Sequence, residues 1–324
     1  MTPAVSVMMA VYDAEAYLEA ALESILTQSF RDFELIAVDD GSRDGSRAIL
    51  GRYAARDERM RVIARTHGGL VPTRNAALAA ARGEFVAVMD ADDVSRPQRL
   101  ERQLAHLRAH PELLALGAEV EIVDPDGWPI RRMGVPLEHD AIDAQLLRGR
   151  GEALTHPVVM FRRDALIALG GYREAYPHSE DLDLYLRLAE RGRLANLPDT
   201  LLEYRHHLRK TSNACAGEHR RVTNEVLRDA RRRRGLAASG GFELPALPRD
   251  TPAVDFWCEW VRQAVIGRNL ATARKYAFAV MRAEPLRPRS WQLLARALFG
   301  LRIEPLKRWL ARGRVTTPGA PVRE

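Results

Sequence analysis

The side chains best suited to chemistry fall into five short clusters. Asp90-Ala91-Asp92 sets two carboxylates at i and i+2, directly after the apolar run Phe85–Met89. Mg²⁺ and Mn²⁺ take oxygen ligands and leave positions open for phosphate oxygens. The pair therefore suits a cation that neutralises a diphosphate as the bond to it breaks. The same residues also fit a solvated acidic turn, with Asp93 capping a helix that starts near Arg96-Pro97. Asp39-Asp40-Gly41-Ser42 ends a second apolar run. A carboxylate there can accept a pyrimidine N–H or a ribose hydroxyl, or can close a plain Asx turn. Arg74-Asn75 sits early in a helical pattern, where the guanidinium can pair with Asp39 or grip a phosphate through two bonds. Ser179-Glu180-Asp181 heads another helix, and the helix dipole favours ionised carboxylates at that end. An ionised Asp181 beside an acceptor hydroxyl is a candidate general base, while Ser179 as a simple N-cap is the structural alternative. His206-His207 offers a neutral imidazole as a further metal ligand.

The elements around these clusters follow from period and punctuation. Val5–Val11 is a short apolar run rich in β-branched residues and reads as a buried strand. Asp13 is placed to cap a helix over Ala14–Leu26, whose apolar residues recur at helical spacing. Strands are expected at Phe33–Val38, Arg61–Ala64 and Phe85–Met89, and helices after Asp44 and over Val71–Ala81. This β–α–β–α alternation implies an open, mainly parallel sheet with helices on both faces. Ligands bind such sheets beyond the carboxyl ends of the strands. Three strand ends deliver Tyr12-Asp13, Asp39-Asp40 and Asp90-Ala91-Asp92 to that edge. Farther along, a strand is expected over 113–124, a hairpin turn at Asp126-Gly127, a helix over Asp140–Leu147, a strand at Val158–Phe161, and helices over Asp164–Leu169 and Leu182–Arg191, with Gly170-Gly171 ending the former.

The character of the chain changes near residue 205. Residues 205–324 hold 25 Lys+Arg against 10 Asp+Glu, whereas residues 1–204 hold 24 against 33, so the overall +6 conceals an acidic front and a basic tail. The tail fits an anionic partner such as a membrane surface or nucleic acid, or merely a solvated arginine-rich helical face. Residues 237–241 read as a flexible linker. Helices are expected at about 254–266, 269–283 and 288–299, and Ala264–Leu298 resembles a tetratricopeptide-type helical pair. Trp257, Trp260, Trp291 and Trp309 read as exposed. The two cysteines, Cys215 and Cys258, form no disulfide framework, which points to a reducing compartment. No signal peptide and no apolar run of about 18 residues is evident, so a cytoplasmic protein is expected, peripheral at most on the inner face of the plasma membrane.

Taken together, the clusters resemble the family 2 glycosyltransferases. VSVMMAVYDAEAYLEAALESILTQSFRDFELIAVDDGSRDGS is similar to that family's opening, and RNAALAAARGEFVAVMDADDVSRPQRLERQ to its donor-site stretch. THPVVMFRRDALIALGGYREAYPHSEDLDLYLRLAERG resembles its acceptor side, and YRHHLRKTS its closing element. The blocks run in the family's order over residues 3–212. The resemblance implies a GT-A fold, α/β and Rossmann-like, with a mixed, mainly parallel sheet, and here with a C-terminal α-helical extension. The expected organisation is a transferase domain over 1–212, a helix and linker over 213–250, and a basic helical extension over 251–324.

Position by position, the resemblance implies that Val11, Tyr12 and Asp39 line a nucleobase pocket with Arg74. Asp90 contacts the ribose side of the donor, Ala91 belongs to the same nucleotide-sugar site, and Asp92 holds Mg²⁺ or Mn²⁺ on the diphosphate, assisted by His207. Asp181 is the base, and Glu180 positions acceptor or donor. The chain departs from the family at Ala10, Asp13, Ala77 and His67-Gly68-Gly69, all near the nucleotide and sugar pockets.

The implied reaction is a single inverting displacement from a nucleoside-diphosphate sugar, UDP-linked by default, onto a hydroxyl of a saccharide or a lipid-linked acceptor. Cell-surface polysaccharide or glycolipid synthesis is the expected setting. A nucleotidyltransferase would need a glycine-rich basic loop after the first strand, where this chain has Val11-Tyr12-Asp13-Ala14. An inactive transferase-like protein, binding membrane or nucleic acid through its basic tail, is the alternative from another class. Nucleic acid is not the expected partner.

Overall fold

A computed structural model of the chain describes residues 2–208, 216–237 and 253–300. Trp309, Cys215, most of the 237–241 linker and the end of the YRHHLRKTS element lie outside the described residues. These residues form two compact units. The first holds residues up to Trp128 and from Arg132 to 237, and the second holds 129–131 with 253–300.

In the first unit, β1 (Val5–Val11), α1 (Glu15–Leu26), β2 (Phe33–Asp39), α2 (Ser46–Ala54), β3 (Met60–Ala64), α3 (Leu70–Ala80) and β4 (Phe85–Asp90) alternate as the sequence pattern requires. Then come β5 (Val94–Ser95), α4 (Arg99–Ala109), β6 (Leu113–Val123), β7 (Pro129–Met133, of which 129–131 count with the second unit), α5 (His139–Leu146), β8 (Met160–Arg162), α6 (Arg163–Ala168), α7 (Glu180–Ala189), β9 (Arg193–Arg205) and α8 (Ala216–Arg233). The strands lie side by side in the order β3-β2-β1-β4-β8-β6-β9-β5. β1, β2, β3 and β4 pair in parallel, and β6 with β9 likewise. β8 runs antiparallel to β4 and β6, and β5 to β9, so the sheet is mixed.

Successive strand residues point to opposite faces, and each face has its own core. Val5, Val7, Met9 and Val11 of β1, with Phe33, Leu35 and Ala37 of β2, pack against α1, α2 and α4. Met8, Ile36, Val38, Val86 and Val88 face α3, α5 and α7, with Val222 and Val226 of α8 joining them. Burial on both faces explains why these strands read as continuous apolar runs.

Some sequence expectations fail in detail. Asp13 does not cap α1. It sits at φ +46° and accepts the Arg43 N–H at 2.7 Å. The start of α1 is capped instead from the loop after β2, where Glu15 N–H donates to Asp44 at 2.9 Å and Ala14 N–H to the Ser46 hydroxyl at 2.9 Å. Glu15 returns a bond to Gly45 N–H, which locks the two loops together. Asp44 also accepts from Ser46 N–H at the start of α2, as expected. Asp93 is fully buried and accepts Arg205 N–H at 2.8 Å; it anchors β9 rather than capping α4, which begins after Gln98. The Asp126-Gly127 turn forms as read, closed by Asp124 N–H on the Trp128 carbonyl.

The second unit packs α9 (Ala253–Ile266), α10 (Leu270–Ala283) and α11 (Pro288–Phe299) around Cys258, Val261, Ala264, Ala273, Ala277, Val280 and Leu293. Trp260 belongs to this core, not to the surface: it meets Tyr276 edge-on at 4.8 Å. Trp257 is partly buried, and Trp291 is 59% exposed. No helix among the described residues is long and apolar enough to cross a membrane.

Candidate active site

The carboxyl ends of β1, β2 and β4 lie side by side because Val11 pairs with Asp39 and Ala10 with Asp90 in the parallel register. The strand ends therefore bring Tyr12, Asp39-Asp40 and Asp90–Asp92 to one edge, as the alternation requires.

At the β1/β2 end, Val11 is buried in the core and its carbonyl accepts Asp40 N–H, so its side chain supports a pocket rather than lining one. Tyr12 is exposed and stacks on His67 with ring centroids 4.2 Å apart. Asp39 is fully buried; its carboxylate accepts Ser42 N–H at 3.0 Å and Arg47 Nε–H at 3.0 Å. Burial pushes its pKa up, but Ser42 and Arg47 outweigh burial and hold it below the usual carboxylate range. Arg47, not Arg74, is therefore the partner of Asp39, because the first turn of α2 reaches it before α3 does. Asp40 grips the loop leading into α3, accepting Gly68 N–H at 3.0 Å and Gly69 N–H at 2.8 Å, with His67 Nδ1 at 2.9 Å. Gly41 permits this approach: it lies at φ +77°, and a Cβ there would meet the His67 nitrogen at 2.9 Å.

Asp40 thereby sets where α3 begins, and α3 presents Arg74. The Arg74 guanidinium is buried, donates to Glu180 at 2.6 Å and reaches Asp90 at 3.5 Å. It lies over the Tyr172 ring at 5.7 Å. Burial pulls its pKa down, and Glu180 and Asp90 more than restore it. Glu180 is buried too, with Oε2 making no hydrogen bond. Burial, together with Asp181, raises its pKa against the pull of Arg74. Asp181 is half-buried in the first turn of α7 and accepts Leu182 N–H at 2.7 Å. Ser179 supplies no cap; its hydroxyl pairs with Thr223 of α8 at 2.9 Å.

Oxygen atoms of Asp90, Asp92 and Asp93 lie within 4.8 Å of one another. Ala91 is buried between the first two. His207 Nε2 is 2.9 Å from Asp92 Oδ2, so the strand end and the segment after β9 converge as the sequence reading expects. An all-carboxylate oxygen set with one imidazole beside it fits Mg²⁺ or Mn²⁺.

Three contributors escaped the sequence reading. Asn75 clamps Tyr172 from both sides, donating to its carbonyl at 2.9 Å and accepting its N–H at 3.0 Å. Behind that clamp, buried His156 bonds Tyr172 Oη at 3.1 Å through Nε2 and Tyr185 Oη through Nδ1. Burial, assisted by the Arg74 charge, drives its pKa well down and keeps it neutral. His67, seen in the sequence only as a departure, is the stacking partner of Tyr12. For Asn75 the Arg-Asn pairing was the available signal; nothing marked His156.

Residues 6–170 match the model of glycosyl transferase family 2. The chain is 32% identical over 215 residues to the O-antigen biosynthesis glycosyltransferase WbnJ of Escherichia coli, covering 65% of this chain and 83% of the relative. Among solved structures it is similar to S. aureus TarS 1-349 in complex with UDP-GlcNAc, at TM-score 0.55 and 19% identity over 91% of this chain and 92% of that one. It is equally similar, at TM-score 0.55 and 19% identity, to the mannosyltransferase PcManGT of Pyrobaculum calidifontis in complex with GDP-Man and Mn²⁺, covering 96% and 84%. A strand edge carrying Asp39 and Asp90, an acidic triad and a helix-borne carboxylate pair thus stand on a GT-A fold, and the chain belongs to glycosyltransferase family 2.

Proposed function

We propose that this enzyme is an inverting transferase that moves a sugar from a nucleoside diphosphate to a hydroxyl acceptor, with Asp181 as the general base. The observation that carries this reading is Arg74, which joins Asp90 on the donor edge to Glu180 beside Asp181. One guanidinium thereby fixes the distance between the two halves of the chemistry. Asp92, with Asp90, Asp93 and His207 around it, would hold Mg²⁺ or Mn²⁺, and the cation would supply neutralisation of the diphosphate charge when bound. Tyr12, His67 and Asp39 would receive the nucleobase and ribose, with Arg47 shifting off Asp39 to admit a ligand hydrogen bond. Asp181 takes the proton of the acceptor hydroxyl as that oxygen attacks the anomeric carbon, and Glu180 orients the sugar or the acceptor. In a single displacement without a covalent enzyme intermediate, attack comes from the face opposite the leaving group, so an α-linked donor yields a β-linked product.

UDP is the preferred nucleotide in this reading, since a structural neighbour carries UDP-GlcNAc; the GDP-Man complex of another makes the alternative concrete. The WbnJ name supports a cell-surface polysaccharide as the setting. The transferase function is assigned to residues 1–212. The helices over 253–300, basic and with Phe278, Trp291 and Phe299 exposed, would touch an anionic membrane surface from the cytoplasmic side. Sedimentation with anionic vesicles at low salt checks that contact, and equal binding to neutral vesicles would refute it.

The test of the main reading is a screen of UDP- and GDP-sugars for release of nucleoside diphosphate with Mn²⁺ or Mg²⁺ and with a chelator. Turnover of one donor, abolished by chelation, is expected. Donor turnover that persists at full rate in chelator would overturn the metal assignment.

A further inference from the structure

Arg99, the first residue of α4, is fully buried. Its guanidinium donates to the Val88 carbonyl at 2.7 Å and to Gln103 Oε1 at 3.1 Å, and lies 3.6 Å from the Met89 sulfur. All three partners are neutral. Among the described residues, no carboxylate oxygen lies within ion-pair distance of it. Val88 and Met89 are the two residues before Asp90, so the charge lies under the end of β4. The carboxylates that stabilise it at longer range are Asp93 and then Asp90. Burial lowers its pKa to about 9, which leaves it charged at neutral pH.

A clamp between strands does not require a cation here. Gln103, one turn along α4, already ties this helix to the Leu116 and Val158 carbonyls at 2.9 and 2.7 Å. A buried charge without a contact counter-ion is costly, and a neutral side chain of similar length would avoid that cost. What the charge adds is an electrostatic effect on the acidic cluster above it, at the low dielectric that makes such effects large.

We propose that Arg99 is a built-in counter-charge beneath Asp90 and Asp93, two of the three carboxylates of the acidic cluster, that keeps the affinity for a free divalent cation low, so that the cation is retained together with a nucleoside diphosphate. The inference rests on the reading of that cluster as the metal site. Arg99 acts through the carboxylates and is a positioning residue, not a catalytic one. A diphosphate brings its own negative charge and offsets the arginine, so the cation binds well only in the ternary complex. Metal and donor then arrive and leave as a unit.

The test is Mn²⁺ binding to the full chain, followed by electron paramagnetic resonance of the free ion, with and without UDP or GDP. Arg99→Met removes the charge at similar length, and Arg99→Lys keeps it. A unit charge at this remove should change divalent-cation affinity by about tenfold. Arg99→Met is therefore expected to bind Mn²⁺ alone about tenfold more tightly than the wild type and to gain less from added nucleotide, with Arg99→Lys close to wild type. A purely structural role would weaken binding in both variants, never tighten it. Unchanged or weaker Mn²⁺ affinity in a cooperatively melting Arg99→Met overturns the inference alone. Arg99→Gln, which can keep a bond to Val88, covers misfolding of the methionine variant. If neither neutral variant folds and Arg99→Lys does, the charge serves the fold and the proposal falls. If the wild type binds no Mn²⁺ even with either nucleotide, the metal reading fails and takes this one with it.

Discussion

Arg74→Gln tests the internal logic of the site through stability alone. The substitution keeps a polar side chain and deletes the cation that Glu180 meets at 2.6 Å. Glu180 is 4% exposed, so its carboxylate would be left buried without a counter-charge. Breaking a buried pair in this way costs about 3–5 kcal/mol. The contact with Asp90 is longer, at 3.5 Å, and that carboxylate is partly exposed, so its loss adds under about 1 kcal/mol. For a unit of this size the total corresponds to a fall in Tm of roughly 10 °C. The penalty should also depend on pH. The folded-state pKa of Glu180 already lies above its ordinary 4.5, and losing Arg74 raises it further. A raised carboxylate pKa means that the folded state holds the proton over a window above 4.5, so stability falls as pH rises through that window. The gap between variant and wild type should therefore shrink as pH is lowered toward 4.5 and widen toward neutrality. Adding Glu180→Gln to the variant should restore most of the loss, because no uncompensated charge remains. Thermal melts of the three proteins between pH 5 and 8 check this. A loss below about 1 kcal/mol at neutral pH, or a gap independent of pH, would refute the claim that the two halves of the site are joined by a buried ion pair.

Two further outcomes follow from the same geometry. His156 is held neutral, so folding depresses its pKa below 6.5 and the wild type should lose stability as pH falls below that value, by up to about 1.4 kcal/mol per pH unit; His156→Gln should show a shallower acid limb in thermal melts, and an identical slope would count against a neutral, buried imidazole. Tyr12→Ala removes the exposed ring stacked on His67 and should weaken UDP or GDP binding by about fivefold to tenfold in calorimetry, while Tyr53→Phe, remote from the strand edge, should leave it unchanged.

In the parallel half of the sheet, β1, β2 and β4 were legible because they are buried on both faces and read as apolar runs, with acidic residues at or just after their ends. The edge where Asp39, Asp90 and Asp92 meet follows from that alternation alone. β9 was not legible: Asn196, Pro198 and Asp199 interrupt its pattern, and its pairing with β6 shifts register around Glu119. The caps of α1 were misread for a similar reason, since Asp44 and Ser46 act across a distance of about thirty residues that local spacing does not encode. Trp260 reads as exposed in the sequence because helical period alone does not say which face of a small bundle is covered. His156 acts through tertiary contacts with Tyr172 and Tyr185 that no spacing in the chain announces, and Asn75, visible beside Arg74, owes its clamp on Tyr172 to a tertiary contact that local spacing does not encode.

The proposed chemistry stands or falls on Asp181 as the base of a single-displacement transfer. Asp181→Asn preserves the shape and the bond from Leu182 N–H while removing the proton acceptor. Single-turnover assays with the donor found in the screen, alongside calorimetric binding of its nucleotide with Mn²⁺, measure chemistry and binding separately. Turnover reduced by roughly 10²–10⁴, with nucleotide affinity within about twofold of wild type, is the expected result. Turnover within about threefold of wild type would place the base elsewhere.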